Sequence, residues 1–170
     1  MNIWETLVQN FERVQQYAAL NDSEGLIQPV PPPPGALERD LEAVASKFGI
    51  QLDAPFLEFL RKANGWQRFL YDLRIFSARE LLSDHIVQDA RDLIFVEQDL
   101  IEVALDVDAI DCLPIGISES STDCILLLLD GSGRPGEVIW EDNGEIYARH
   151  KDFDEFFRWM IRYQAGEVKL

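Results

Sequence analysis

Glu137-Val138-Ile139-Trp140-Glu141-Asp142-Asn143-Gly144-Glu145-Ile146-Tyr147-Ala148-Arg149 reads as two short strands folded back on each other. The Asn-Gly step suits a tight turn with positive φ, whose twist matches that of paired strands. Upstream, residues 113–117 and the apolar run Cys124-Ile125-Leu126-Leu127-Leu128-Leu129 read as two further strands. That run is the longest of its kind and falls well short of the roughly 18 residues of a membrane helix. Downstream, Asp152 and Glu155 have capping-box spacing, and Phe153, Phe156, Phe157, Met160 and Ile161 form one apolar helical face.

The first half of the chain is helical in pattern. Trp4, Leu7, Val8, Phe11, Val14 and Ala18 recur at helical spacing. Pro29-Val30-Pro31-Pro32-Pro33-Pro34-Gly35 cannot be helix and reads as a stiff strap in polyproline II. A second helix is expected from about Ala36 to a stop at Gly49, and a third is expected to be capped by Asp53, with Pro55 in its first turn. Residues 68–71 and 74–76 look like strands. Ser77-Ala78-Arg79-Glu80 spells a capping box, and residues 86–110 read as mostly helical. Helices first, a hairpin-linked sheet, then one closing helix define an α+β fold with a mainly antiparallel sheet. The expected division is an N-terminal helical extension over 1–28, the strap over 29–35 and the α+β domain over 36–165.

A chain of 170 residues is long enough for one core without staples. It carries 31 acidic against 15 basic side chains, a formal charge of −16. Such a field repels nucleic acid and anionic membrane, so neither is expected as a partner. The charge is uneven: residues 80–130 hold thirteen acids against the single base Arg91. That stretch is either a solvated surface or a landing site for a basic partner. The first residues lack a secretory pattern, and Cys112 and Cys124 make no disulfide scaffold, so a cytoplasmic setting is expected.

Motifs that would carry chemistry fail on their context. Gly131-Ser132-Gly133-Arg134-Pro135-Gly136 matches a phosphate-cradling spelling, but a strand follows it where a helix N-terminus is needed. Asp106 to Asp111 lacks the turn glycine of a calcium loop. Cys112 and Cys124 lie on strands in acidic surroundings, which disfavour a thiolate activated by His85 or His150. No residue is assigned as catalytic, metal-binding or cofactor-binding, and the chain reads as a non-enzyme.

The succession from Leu37-Glu38 to Leu52, then Phe56 through Asn64-Gly65-Trp66, Tyr71 through Leu82, Leu113-Pro114-Ile115-Gly116, Asp123 to Asp130, and Ala148 to Phe157 resembles the SUKH superfamily. That superfamily includes regulators of yeast cell-wall assembly and bacterial immunity proteins. Two departures are Leu52-Asp53-Ala54-Pro55, where the proline comes late, and the long acidic stretch after Leu82. The resemblance implies a non-catalytic domain that binds another protein: an immunity protein neutralising a cognate, basic and often nucleolytic toxin. The alternatives are a regulatory scaffold of the cell-wall type and a small enzyme with a scattered site. The expected partner-contacting residues are Glu119, Asp123, Asp130, Glu141 and Asp142 at strand ends, with Trp66 as either an exposed anchor or a core tryptophan.

Overall fold

The computed structural model describes residues 3–94, 98–142 and 144–169. Its helices are α1 (Ile3–Asn21), α2 (Glu38–Phe48), α3 (Pro55–Leu60), α4 (Ala78–Leu82), α5 (Asp84–Ile94), α6 (Gln98–Leu105) and α7 (Phe153–Gln164). The strands β1 (Trp66–Leu70), β2 (Leu73–Ile75), β3 (Cys112–Ile117), β4 (Cys124–Leu128), β5 (Val138–Asp142) and β6 (Glu145–His150) form one antiparallel sheet in chain order. The α+β reading holds, with α1–α3 ahead of the sheet, α4–α6 inserted between β2 and β3, and α7 closing the chain. Asn143, half of the Asn-Gly signal, lies outside the described residues; β5 and β6 pair across it, with Gly144 at φ 81°.

The apolar run of β4 has a structural cause. All five of its residues are buried because both sheet faces are covered. Ile125 and Leu127 join Leu113, Ile115, Val138 and Trp140 beneath the helices, whereas Cys124, Leu126 and Leu128 join Cys112 and Ile139 on the other face. Leu105 and Val107, inside the acidic stretch, pack on that second face. A strand buried on both sides loses its polar alternation.

The larger cluster is aromatic. Phe11 of α1 lies 4.5 Å from Phe69, 5.1 Å from Trp66 and 5.1 Å from Phe157, measured between ring centroids. Trp4 reaches Phe59, Phe153 and Phe157, and Phe153 reaches Phe56. The N-terminal helix therefore shares one cluster with α3, β1 and α7.

The proline strap is pinned at both ends. Trp66 Nε1 donates to the Val30 carbonyl at 2.9 Å, and the Asn64 amide donates to the Pro34 carbonyl. Gly35 passes so close to the Arg61 carbonyl that a Cβ there would lie 2.0 Å from its oxygen. The following amide, Ala36 N, is taken by the Leu60 carbonyl, and α2 starts at Glu38 after an extended Leu37. Gly49 ends α2 at φ 68°, the left-handed cap that its sequence position implies.

Three expectations need correction. Asp53 does not cap α3: Ala54 is the N-cap, extended before Pro55, and makes no side-chain capping bond. The Ser77–Glu80 capping box is complete, but only half of the second one forms. Asp152 accepts from the Glu155 amide, while the Glu155 carboxylate turns to the Lys151 amide. Trp66 is no exposed anchor; it is 1% exposed, enclosed by Phe11, Phe69 and the strap.

Truncating Phe11 to Ala leaves a void between α1, β1 and α7, and the expected loss is about 3–5 kcal/mol. Urea unfolding of Phe11→Ala checks this. A loss under about 1 kcal/mol would mean that α1 is not integral to the core.

Candidate functional site

The antiparallel order brings three connections, β1–β2, β3–β4 and β5–β6, to one end of the sheet. The turn between β1 and β2 carries Asp72, the loop between β3 and β4 carries Glu119 and Asp123, and the β5–β6 end carries Glu141, Asp142 and Glu145. Tyr71 holds φ 53°, a left-handed value that is uncommon outside glycine and marks the tight reversal before β2. That turn sets Asp72 against the β3–β4 loop. Its carboxylate accepts from Ser118 Oγ at 2.8 Å and also from Ser120 Oγ. Burial alone would raise the Asp72 pKa, but the bonds from Ser120 and Ser118 outweigh it and hold the carboxyl below its ordinary value.

Ser118, itself buried, accepts from the amides of Ser120 and Ser121 and so winds the loop back on itself. Asp123 accepts from Trp140 Nε1 at 3.0 Å, tying the loop to β5, and from Ser121 Oγ. Asp142 accepts from Thr122 Oγ1, with the Tyr147 hydroxyl at its other oxygen. Glu119 and Glu145 are exposed beside them.

Every donor in this network is neutral: a hydroxyl, an indole N–H, a thiol or a backbone amide. Among the described residues, none of Asp72, Glu119, Asp123, Glu141, Asp142 and Glu145 takes part in an ion pair. Some acids elsewhere are matched, as in Glu80 with Arg74, Asp84 with Lys47, and Glu38 and Glu58 with Arg61, whereas others, Asp53 and Asp130 among them, are in no ion pair among the described residues. This end of the sheet therefore carries an ordered set of carboxylates that, among the described residues, take part in no ion pair.

Glu141 departs from its expected role on the outer rim. It is 2% exposed, faces Cys124 across the β4–β5 pair, and accepts from Cys124 Sγ and from the Gly144 amide. Burial pushes its pKa up, with Asp142 and Asp123 adding to the rise, and the two hydrogen bonds pull only part of the way back. Asp130 is exposed but sits at the opposite end of β4, beside Gly49. Of the six residues expected to contact a partner, the structure gathers Glu119, Asp123 and Asp142 as a partly or fully exposed group. It buries Trp66 and Glu141 and puts Asp130 elsewhere. Asp72 and Glu145 were missed. The signal for Asp72 was its place in the two-residue gap between two strand patterns.

The thiols among the other chemistry-bearing groups are enclosed. Both cysteines are free and buried. Burial pushes Cys112 up to about 12 and Cys124 well above its ordinary value, where neighbouring Glu141 raises it further. Both thiols are held protonated, unsuited to nucleophilic attack. Burial lowers the His150 pKa, and His85 is paired with Asp89 on the surface of α5. The glycine-rich stretch 131–136 is a loop between β4 and β5 with a short 3-10 turn, and no helix follows it. Among the described residues, no group of three or more His, Cys, Asp or Glu side chains is placed to hold a metal ion. None of their helices is long and apolar enough to cross a membrane.

The architecture defines an α+β protein with an antiparallel meander, whose polar chemistry lies in the connections at its strand ends. The chain belongs to the SMI1 / KNR4 family (SUKH-1), whose model matches residues 35–159. The match takes in all six strands and leaves α1 outside it. No curated protein sequence matches the chain significantly.

The raised Glu141 pKa has a consequence for stability. The folded state keeps a proton that the unfolded chain releases as pH rises through about 4.5, so this group makes stability fall as pH climbs from there through the higher folded-state value. Glu141→Gln removes that titration. Its stability relative to the parent is expected to improve between pH 4 and pH 7, as read by urea unfolding at both. An unchanged difference would contradict the burial argument.

Proposed function

We propose that this protein is a non-catalytic immunity protein that binds and neutralises a basic toxin in the cytoplasm of the producing cell. The observation that carries the reading is the set of carboxylates at one end of the sheet, ordered by neutral donors and in no ion pair among the described residues. Charges arranged in this way attract a cationic surface over a Debye length of about 8–10 Å at physiological salt. They also need little reordering when it arrives. A nuclease active surface, built to hold phosphates, presents such cations, and a fixed group of carboxylates competes for them. The net charge of −16 adds a long-range field of the same sign. Membership of the SUKH-1 family supports a binding role, because the superfamily includes immunity proteins and assembly regulators.

The direct test mixes the purified chain with the product of the neighbouring gene and measures complex formation and rescue of growth from that product's toxicity. No complex and no rescue would overturn the reading. Glu119→Gln with Glu145→Gln removes two exposed charges that hold no part of the loop together. The expected result is association slowed about tenfold at low salt, with a shallower dependence on ionic strength and a smaller change in dissociation. Stopped-flow kinetics against a control pair, Glu12→Gln with Glu42→Gln on α1 and α2, checks that the effect belongs to this end of the sheet.

A further inference from the structure

At the other end of the strands the surface opens into a cleft of about 500 Å³. Three segments frame it: residues 48–56 between α2 and α3, residues 127–136 leaving β4, and residues 151–153 entering α7. Its floor is apolar, with Phe56 and Phe153 1% exposed and Leu127 4% exposed. Its walls include Phe48, Ile50 and Leu129, which the fold leaves only partly covered. Leu52 stands 43% exposed on the adjoining shelf.

The frame is set by backbone bonds. Gly49 in its left-handed cap turns the chain so that Ile50 N returns to the Ala45 carbonyl at 3.1 Å. Gly136 N bonds the Leu128 carbonyl at 2.9 Å, closing the opposite wall. Three carboxylates, Asp53, Asp130 and Asp152, stand on the rim against the one ammonium of Lys151. Asp152 is engaged in capping α7. Asp53 and Asp130 make no ion pair among the described residues. An apolar floor with unmatched carboxylates on its edge selects on both properties together. An apolar side chain fills the floor, and cations flanking it meet Asp53 and Asp130.

We infer that this cleft is a docking site for a basic protein segment that presents one large apolar side chain, an aromatic above all, between lysines or arginines. A second copy of this chain fits poorly, because net charges of −16 would be brought together with acidic rims facing each other. The inference goes beyond the neutralisation reading and uses a different surface, so either stands or falls without the other.

The test uses the full chain labelled with ¹⁵N and a capped pentapeptide of four lysines about a central tryptophan. Two control peptides replace the tryptophan by serine or the lysines by glutamates. The expected result is saturable amide shifts confined to residues 48–56, 129–136 and 151–153 with the first peptide, and binding at least about tenfold weaker with either control. Asp53→Asn with Asp130→Asn, both exposed and outside the core, is expected to weaken the first peptide about fivefold without changing the spectrum elsewhere. Four outcomes would overturn the inference: no shifts at these amides; equal shifts with the serine peptide, which leaves only charge attraction; equal shifts with the glutamate peptide, which leaves only apolar contact; or sedimentation showing a dimer that occludes the cleft.

Discussion

The packing of Phe11 against Phe69, Trp66 and Phe157 is the constraint on which the rest of the molecule depends. It ties the first helix to the first strand and to the last helix, elements that are far apart in the chain. With α1 and α7 joined there, the helices cover one face of the sheet. Leu105 and Val107 close over the other. Strands covered on both faces are free to be apolar throughout, as β4 is. Polar chemistry is then confined to the strand ends, where connections reach water. The two surfaces of interest, the carboxylate group around Asp72 and the cleft beside Asp130, occupy opposite ends of the same strands for this reason.

At the carboxylate end the fold chooses order over neutrality. A cation beside Asp123 or Asp142 would stabilise the loops more strongly than hydroxyl or indole donors do, since ion pairs add a Coulomb attraction to the hydrogen bond. It would also cancel the outward field. Serine, threonine and tryptophan donors fix the geometry and leave the charge in place. Glu141 marks the inner limit of the arrangement, since its carboxyl has passed beyond the reach of water and resists ionisation. The matched acids of α2, α4 and α5 show the opposite solution, with Arg61 and Lys47 tying helices together and Arg74 tying β2 to α4.

Local features of the fold were legible in the sequence. The β5–β6 hairpin, the Ser77 capping box and the Gly49 stop are each written within a few residues. The place of Trp66 was not, because the groups that bury it, Phe11 and Val30, lie 55 and 36 positions earlier. Asp72 escaped notice for the same reason: its partners Ser118 and Ser120 follow 46 and 48 residues later. Glu141 could have been found. Alternation along β5 puts it on the same face as Ile139, and a residue on that face of a doubly covered sheet is buried. Asp53 misled because its type suits a cap, whereas Pro55 fixes the helix start so that Ala54 takes the position.

In the proposed role, the aromatic core holds the carboxylates around Asp72 in place before a basic partner arrives. Hydrogen-exchange mapping of the chain, free and in complex with the protein encoded beside it, addresses this most directly. The expected result is new protection concentrated at residues 71–72, 118–123 and 141–145, with the aromatic core equally protected in both states. Protection confined to the outer surfaces of α1 and α5, or a core that becomes protected only on binding, would contradict it.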